Sequence, residues 1–408
     1  MIELGNLSKK PVCILLEKSP RRWSEHLRRK LSLSYNLICV DAHAIISRSG
    51  YRMLSDELNK IIDDSSVRVV FFSIDFYYGI DVEFISGINQ SVKKVLVTFD
   101  DLSLHSFNSI TATSCDLVLT ADPLSRLKYI EKGIDAVYFP LESSKQIYRD
   151  LKRDKKIEIL FFGNTKLADR QYYIDYLRKR GLKIDVYGEV TSYLDESELV
   201  QKICESHIVL NFSKTGHLEN EQVQESHHRY LWQVKGRIIE VGLCRTVCVS
   251  EYAPGLELLY SDAELPTFRT PEECHILLEN LLSNDEAREE IANRICRRTL
   301  SEYEDIPIMS DVEKALSKLR DKQGQRGTNL IATPYWYRRL RLRVRLQHLT
   351  GKVREKIYEI HNEVFRSNGR RNYLNLMLLI DIVAWSVYDQ FLKRCMKRSW
   401  HYSFVDNE

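Results

Sequence analysis

Two doubly wound parallel α/β units facing a cleft, followed by a basic helical extension, are what this sequence predicts. Three observations point there. Short β-branched runs alternate with amphipathic stretches from Val12 to Tyr303, the pattern of strands buried on both faces between covering helices. The alternation begins afresh after a polar, lysine-rich segment at 142–155. Beyond Gln323 the composition turns basic, with a mostly apolar stretch between charge clusters.

In the first unit, residues 1–145, the strands are expected at Val12–Leu16, Leu37–Val40, Val69–Ser73, Val95–Thr98, Leu117–Thr120 and Ala136–Phe139. Helical spacing falls at Trp23–Leu31, Met53–Ile62, Val82–Ile88 and Leu124–Lys132, the last stopped by Gly133. Glu142–Lys155 reads as a linker. The second unit, 156–322, is expected to run through strand Ile157–Phe161, helix Arg170–Arg180, strand Ile184–Tyr187, a helix near Leu199–Glu205 and strand Ile208–Phe212. After a polar loop at Lys214–Arg229 come helix Val234–Leu243, strand Thr246–Ser250, helix Leu256–Tyr260, strand Leu265–Phe268 and helices Glu272–Leu282 and Asp285–Tyr303. Two such units leave a cleft at the carboxyl ends of both sheets, where ligands bind in this architecture.

Composition narrows the function. A chain of 408 residues exceeds one ordinary core. A net charge of +3 argues against a general nucleic-acid binder. The nine cysteines form no CxxC pair and no zinc spacing, so no metal site is expected and Cys244 and Cys248 read as core thiols rather than redox or metal groups. An odd count without a framework suits a reducing cytoplasm. The apolar run near the start is only a strand long, so no leader is expected. No stretch of roughly 20 uncharged apolar residues suggests a membrane span.

The chemistry-bearing residues cluster at strand ends. Gly163-Asn164 follows the first strand of the second unit, where a small residue lets backbone N–H groups approach a phosphate and the helix at Arg170 would aim its positive end; an ordinary tight turn explains the glycine as well. GxGxxG is missing there, and GxxxxGK[ST] is absent from the whole chain. Glu240 sits on an apolar helical turn, with Lys235 and Arg237 one turn earlier. A carboxylate there is costly to bury without donors, which ribose hydroxyls would supply; the plain alternative is a surface Glu paired with Arg237. Asp100 and Asp101 end a strand on the cleft side, where a carboxylate can take the proton of an acceptor hydroxyl. Helix N-capping by one of the pair explains them equally well. His105 reads as a residue of the following loop and a secondary candidate. His227-His228 suit no metal site and read as loop residues near the cleft.

These stretches resemble group 1 glycosyltransferases, a GT-B-fold family, and within it the CgeB-like branch. The matching residues are Phe161-Phe162-Gly163-Asn164 followed by Arg170, Val209-Leu210-Asn211-Phe212-Ser213, and Arg237 with Glu240. In the first unit they are Val97–Asp101, Asp116–Thr120 and Gly133 to Pro140. The resemblance runs over residues 10–305, most strongly 157–305. It implies a nucleotide-sugar donor held by Gly163, Asn164, Arg170, Asn211, Lys235, Arg237 and Glu240. Glu240 would bind the ribose and the basic residues the diphosphate. Ser250 to Gly255 would reach the base or the sugar. It implies an acceptor side near Asp100, Asp101 and His105, no cofactor, and leaving-group stabilisation by Arg and Lys without a metal. The acceptor class is a glycan, a lipid-linked sugar or a protein, in surface polysaccharide or glycoconjugate synthesis.

Two departures stand out. Many group 1 enzymes carry a second glutamate eight positions before the first, where this chain has Trp232, and Arg245 follows the glutamate helix where small residues are usual. A catalytically degenerate binding or assembly subunit and a nucleotide-sugar epimerase are the competing readings. The extension, 330–408, carries basic clusters at Arg338–Arg345, Arg366–Arg371 and Lys393–Arg398 around the apolar Tyr373–Leu392. It fits an amphipathic helix on the inner face of an anionic membrane, through 334–408, or on another protein. A helical appendage packed on the second unit is the alternative.

Overall fold

The structure is a computed structural model and describes residues 10–17, 22–73, 80–99, 101–188, 194–215 and 231–320. The expectations for Asp100, His227-His228 and the extension lie outside them.

The first sheet has six parallel strands, β1 Val12–Glu17, β2 Asn36–Asp41, β3 Val69–Ser73, β4 Lys93–Thr98, β5 Leu117–Thr120 and β6 Ala136–Tyr138, in the order β2-β1-β3-β4-β5-β6. The second has five, β7 Ile157–Phe162, β8 Ile184–Tyr187, β9 Ser206–Asn211, β10 Val247–Glu251 and β11 Thr267–Phe268, ordered β11-β10-β9-β7-β8 and parallel throughout. In each, the chain steps outward once and then crosses back past its first strand. The reversal lies between β1 and β3 in one sheet and between β7 and β9 in the other.

Strand burial shows why both faces are apolar. On β1, Ile14 and Leu16 face one cluster with Val70, Phe72, Leu96 and Val118, while Cys13 and Leu15 face another with Phe71, Val95 and Leu117. A period of two splits each run between the covering layers. The helices are α1 Arg22–Leu31, α2 Ala42–Ser65, α3 Val82–Gly87, α4 Asp101–Ala112, α5 Pro123–Glu131, α6 Arg170–Arg178, α7 Glu196–Glu205, α8 Arg237–Leu243, α9 Pro271–Leu282, α10 Asp285–Glu302 and α11 Asp305–Arg320. Local caps set several starts. Asp122 accepts from Ser125 N ahead of Pro123, Asp195 and Glu198 form a capping box, and Thr270 and Asn284 cap α9 and α10.

Five expectations need correction. The helix expected at Met53–Ile62 starts at Ala42, where Asp41 caps it. Residues 101–112, including His105, are not loop but α4. The Val234–Leu243 helix begins only at Arg237, after Gly236. Leu256–Tyr260 is a 3-10 turn of three residues, Leu256–Leu258. Helix α11 was not expected: it packs Ile308, Met309, Val312, Leu316 and Leu319 against the first sheet, beside Leu27 and Leu31 of α1.

The connecting segment is not a loose tether either. Ser143, Ser144 and Tyr148 are buried. Lys30 of α1, itself fully buried, donates to the Pro140 carbonyl and pairs with Asp305 Oδ1 at 3.2 Å. Ser143 Oγ donates to the same carboxylate at 2.8 Å. Further contacts between the units are Gln233 Nε2 donating to the Phe99 carbonyl at 3.3 Å and His26 against Glu196 at 2.9 Å.

Candidate functional site

The carboxyl end of the second sheet brings four expected residues together: Gly163 after β7, Asn211 closing β9, Arg237 opening α8 and Arg170 opening α6. Gly163 has φ +142, a backbone that L side chains rarely adopt. A Cβ there would stand 2.7 Å from Arg237 Nη2, and one at Gly188 would stand 2.8 Å from Gly163 N. Gly163 is therefore glycine so that the Arg237 guanidinium can lie against the strand end. Arg237 Nη1 donates to Asn211 Oδ1 at 2.9 Å, and the guanidinium carbon lies 4.7 Å from the Phe162 ring centre. Asn211 in turn donates to Ser250 Oγ at 2.8 Å. Since β7 and β9 flank the reversal of strand order, the cluster occupies the switch point where this architecture binds ligands.

Arg170 is 6% exposed and donates to the Asn164 carbonyl at 3.0 Å. Asn164 contributes its backbone there, while its side chain accepts from Lys166 N. Burial, the neighbouring Arg237 and, in the opposite sense, Glu251 act on Arg170, and its pKa is pushed down to about 10. Burial also lowers that of Arg237, with Glu240 pulling the other way. Among the described residues, neither guanidinium has a carboxylate within ion-pair distance, and the Nε of each is buried without a hydrogen-bond partner. Two adjacent cations, one buried and one half-buried, held by neutral oxygens among the described residues form a site that an anion would stabilise.

Glu240 lies one turn along α8 and is 8% exposed, so it is not a surface residue. The chain itself supplies a donor: Tyr148 OH reaches Oε1 at 3.0 Å. Lys235 precedes the helix and donates to Gln233 Oε1 at 2.9 Å. Arg245, at φ 53 just past α8, replaces the usual glycine of a left-handed helix stop. Its side chain explains its presence: Nε donates to Asn293 Oδ1 at 2.7 Å, and the guanidinium pairs with Asp150 and Glu289.

Sequence reasoning did not single out Glu251. It closes β10, 5% exposed, and accepts from Ser213 N and Lys214 N at 2.9 Å each on one oxygen, and from Trp232 Nε1 at 2.9 Å on the other. The available signal was a lone acid at the end of the buried run Val247–Glu251. Trp232, where a glutamate is usual in the family it resembles, is thus anchored to a neighbouring acid. Beyond it, Gly255 lies against Pro123 and Leu124 of the first unit.

On the opposite side of the cleft Asp101 is fully buried. Thr98 and Thr120 donate to Oδ2 at 2.9 and 2.8 Å, and Asn108 and Tyr129 donate to Oδ1 at 3.0 and 2.8 Å. It makes no N-cap. Burial pushes its pKa up, but His105 and the hydroxyl and amide donors outweigh it and hold the carboxyl below its ordinary value. His105 Nδ1 stands 3.8 Å from Oδ1, too far for a hydrogen bond, and both ring nitrogens are buried without a partner among the described residues. No group of acids, histidines and cysteines among the described residues could hold a metal ion, and no helix among them is long and apolar enough to cross a membrane.

No curated protein matches this chain. Among solved structures, sucrose-phosphate synthase (tll1590) from Thermosynechococcus elongatus superposes with a TM-score of 0.51 at 6% identity, over 76% of this chain and 99% of that one. Anabaena Alr3699/HepE, solved in complex with UDP-glucose, gives 0.50 at 12% identity over 75% and 99%. At these identities the likeness establishes the fold alone. Residues 146–306, which carry Gly163, Arg170, Asn211, Arg237 and Glu240, match the family described as glycosyl transferase-like, within a chain that has the two-unit GT-B fold.

Proposed function

We propose that this protein is a glycosyltransferase that takes a sugar from a nucleotide-sugar donor. The observation that carries the proposal is the pair of arginines at the switch point of the second sheet, buried Arg170 and half-buried Arg237, whose hydrogen-bond partners among the described residues are neutral oxygens. The donor diphosphate lies across them beneath Gly163 and Asn164, and Glu240 takes the ribose. As the bond to the sugar breaks, charge grows on the diphosphate, and fixed guanidinium groups in a dry site stabilise that charge without reorganising. The arginines would then suffice without a metal. The match over 146–306 and the UDP-glucose bound by the Anabaena protein support this reading.

The acceptor side is proposed at Asp100, Asp101 and His105. Within that trio Asp101 is committed to four donors. His105 is therefore the proposed proton acceptor of the trio, its Nδ1 3.8 Å from Asp101 Oδ1. The acceptor is a glycan, a lipid-linked sugar or a protein, in surface polysaccharide or glycoconjugate synthesis. Kinship to the CgeB-like branch and a place at the inner membrane face through 334–408 belong to the same proposal. One observation favours a second reading, a binding or assembly subunit without turnover: Trp232 occupies the position of the usual glutamate and is tied to Glu251.

The test has two steps. A nucleoside diphosphate at 100 times its dissociation constant raises stability by about 2.7 kcal/mol, so a thermal-shift screen of UDP, GDP, dTDP and CMP identifies the base. Incubation of the full chain with the matching nucleotide sugar, with and without glycan or lipid-linked acceptors, then separates the outcomes. Acceptor-dependent release of nucleotide supports transfer, release without acceptor points to an epimerase or hydrolase, and binding without release supports the second reading. Binding of the full chain to anionic vesicles at low salt, lost after truncation at Gly327, checks the membrane placement.

A further inference from the structure

Tyr148 belongs to the segment joining the two units, yet none of its surface is exposed. Its N–H donates to the Ser144 carbonyl at 2.9 Å, which fixes the backbone locally. Its ring lies within the core cluster that contains Ile238, Ile239 and Val241 of α8. Its hydroxyl reaches Glu240 Oε1 at 3.0 Å. Its ring is nearly parallel to that of His26, with centroids 6.3 Å apart and 14° between planes. His26 comes from α1 of the first unit and meets Glu196 of the second at 2.9 Å. A chain of contacts therefore runs from the interface between the units through the connecting segment to the carboxylate on α8.

We infer that Tyr148 is a positioning residue of the donor site: its hydroxyl fixes the rotamer of the Glu240 carboxylate, so that the ribose hydroxyls meet a preset acceptor. The inference rests on the reading of Glu240 as the ribose ligand and names a residue that this reading does not require. A buried carboxylate needs donors whether or not nucleotide is present. A phenol supplies one without adding charge, and its rigid ring, seated in the core, holds the donor in one place. A group held before binding costs no ordering when the ligand arrives. Because the same ring packs on His26, the geometry at Glu240 is also tied to how the two units sit together.

The test is ribose discrimination in the full chain. The probes are UDP, GDP and CDP with their 2′,3′-dideoxy counterparts, compared in wild type, Tyr148→Phe and Glu240→Gln by calorimetry. The phenylalanine keeps the ring, its core packing and its stacking and removes only the hydroxyl. Wild type is expected to prefer the ribonucleotide. Tyr148→Phe is expected to weaken ribonucleotide binding by about tenfold, the effect of one hydrogen bond to a charged group, and to leave the dideoxy form unchanged. The preference then collapses without a matching loss of thermal stability. An unchanged preference in Tyr148→Phe, or equal losses for both forms, overturns the inference. Absence of any preference in wild type, or a preference that survives Glu240→Gln, overturns the ribose reading of Glu240 instead.

Discussion

The two banks of the cleft bury charge in opposite ways. On the first unit, Asp101 sits among four donors that meet both of its oxygens. On the second, buried Arg170 and half-buried Arg237 are neighbours, each with a buried Nε that has no hydrogen-bond partner among the described residues. A saturated charge is finished business for the fold, since no ligand can offer it more. An unsaturated one stores an unmet interaction that binding can complete. Burial alone therefore does not mark a site. The count of partners separates the two, and by that measure the second bank fits the proposed donor side while Asp101 ties together β4, β5, α4 and α5.

The largest expected effect strikes at the first half of that contrast. Asp101→Ala leaves Tyr129, Asn108 and two threonine hydroxyls without their acceptor and is expected to cost about 3–5 kcal/mol, roughly 10 °C or more in melting temperature. The sign with pH follows from its depressed folded pKa. The stabilisation is present above the unfolded carboxyl value and is lost as pH falls through the folded one. Melting curves across the acid range should therefore be flatter in the variant. An unchanged melting temperature with transfer abolished would make Asp101 a reacting group and erase the contrast.

Arg237→Ala tests the other half. Nucleoside diphosphate affinity is expected to fall about 100-fold, equivalent to roughly 3 kcal/mol for charge-assisted bonds, while affinity for the free nucleoside changes little and the melting temperature holds or rises. A large loss of stability would show that Arg237 is as architectural as Asp101. Glu251→Gln separates partner count from location, because Glu251 is a saturated acid on the binding side. It is expected to cost about 1–2 kcal/mol of stability with nucleotide affinity within roughly threefold of wild type per shared hydrogen bond. Arg170→Gln should weaken diphosphate binding about tenfold by loss of one charged partner. It should also remove an alkaline limb: Arg170, pushed down to about 10, gives up its charge as pH rises through that value. Titration of UDP binding between neutral and alkaline pH checks both.

How far the sequence foretold all this depends on what kind of pattern each feature leaves. Runs such as Val69–Ser73, buried at every position, announce a central strand by composition alone. Helix α4 was hidden because DLSLHSFNSITA is rich in Ser, Thr and Asn, which favour caps and turns and blur the helical period. Helix α11 does carry helical spacing, at Ile308, Val312, Leu316 and Leu319, but Pro307 near its start breaks the run, and no element was expected between Tyr303 and the basic extension. At the site, Gly163, Asn211, Arg237 and Glu240 were legible because each sits at a fixed offset from a recognisable strand or helix. Glu251 was visible only as a lone acid closing a strand. Tyr148 was invisible: a tyrosine in a polar segment gives no sign that the chain will fold it under α8. The partners of Asp101 were equally hidden, since Thr120 and Tyr129 come from elements that only the sheet brings beside it.

Helix α11 has a consequence for how the protein is made. The face of the first sheet that holds Leu15, Phe71 and Val95 is covered by Ile308, Met309, Val312, Leu316 and Leu319, which leave the ribosome only after the whole second unit. At bacterial or eukaryotic elongation rates, about 5–20 residues per second, that delay is on the order of ten to forty seconds. Throughout it that face is covered only in part, by Leu27 and Leu31 of α1, and chaperones have a defined window in which to meet the rest. A nascent chain stalled before Asp305 should bind a holdase at that surface, and one stalled after α11 has emerged should release it.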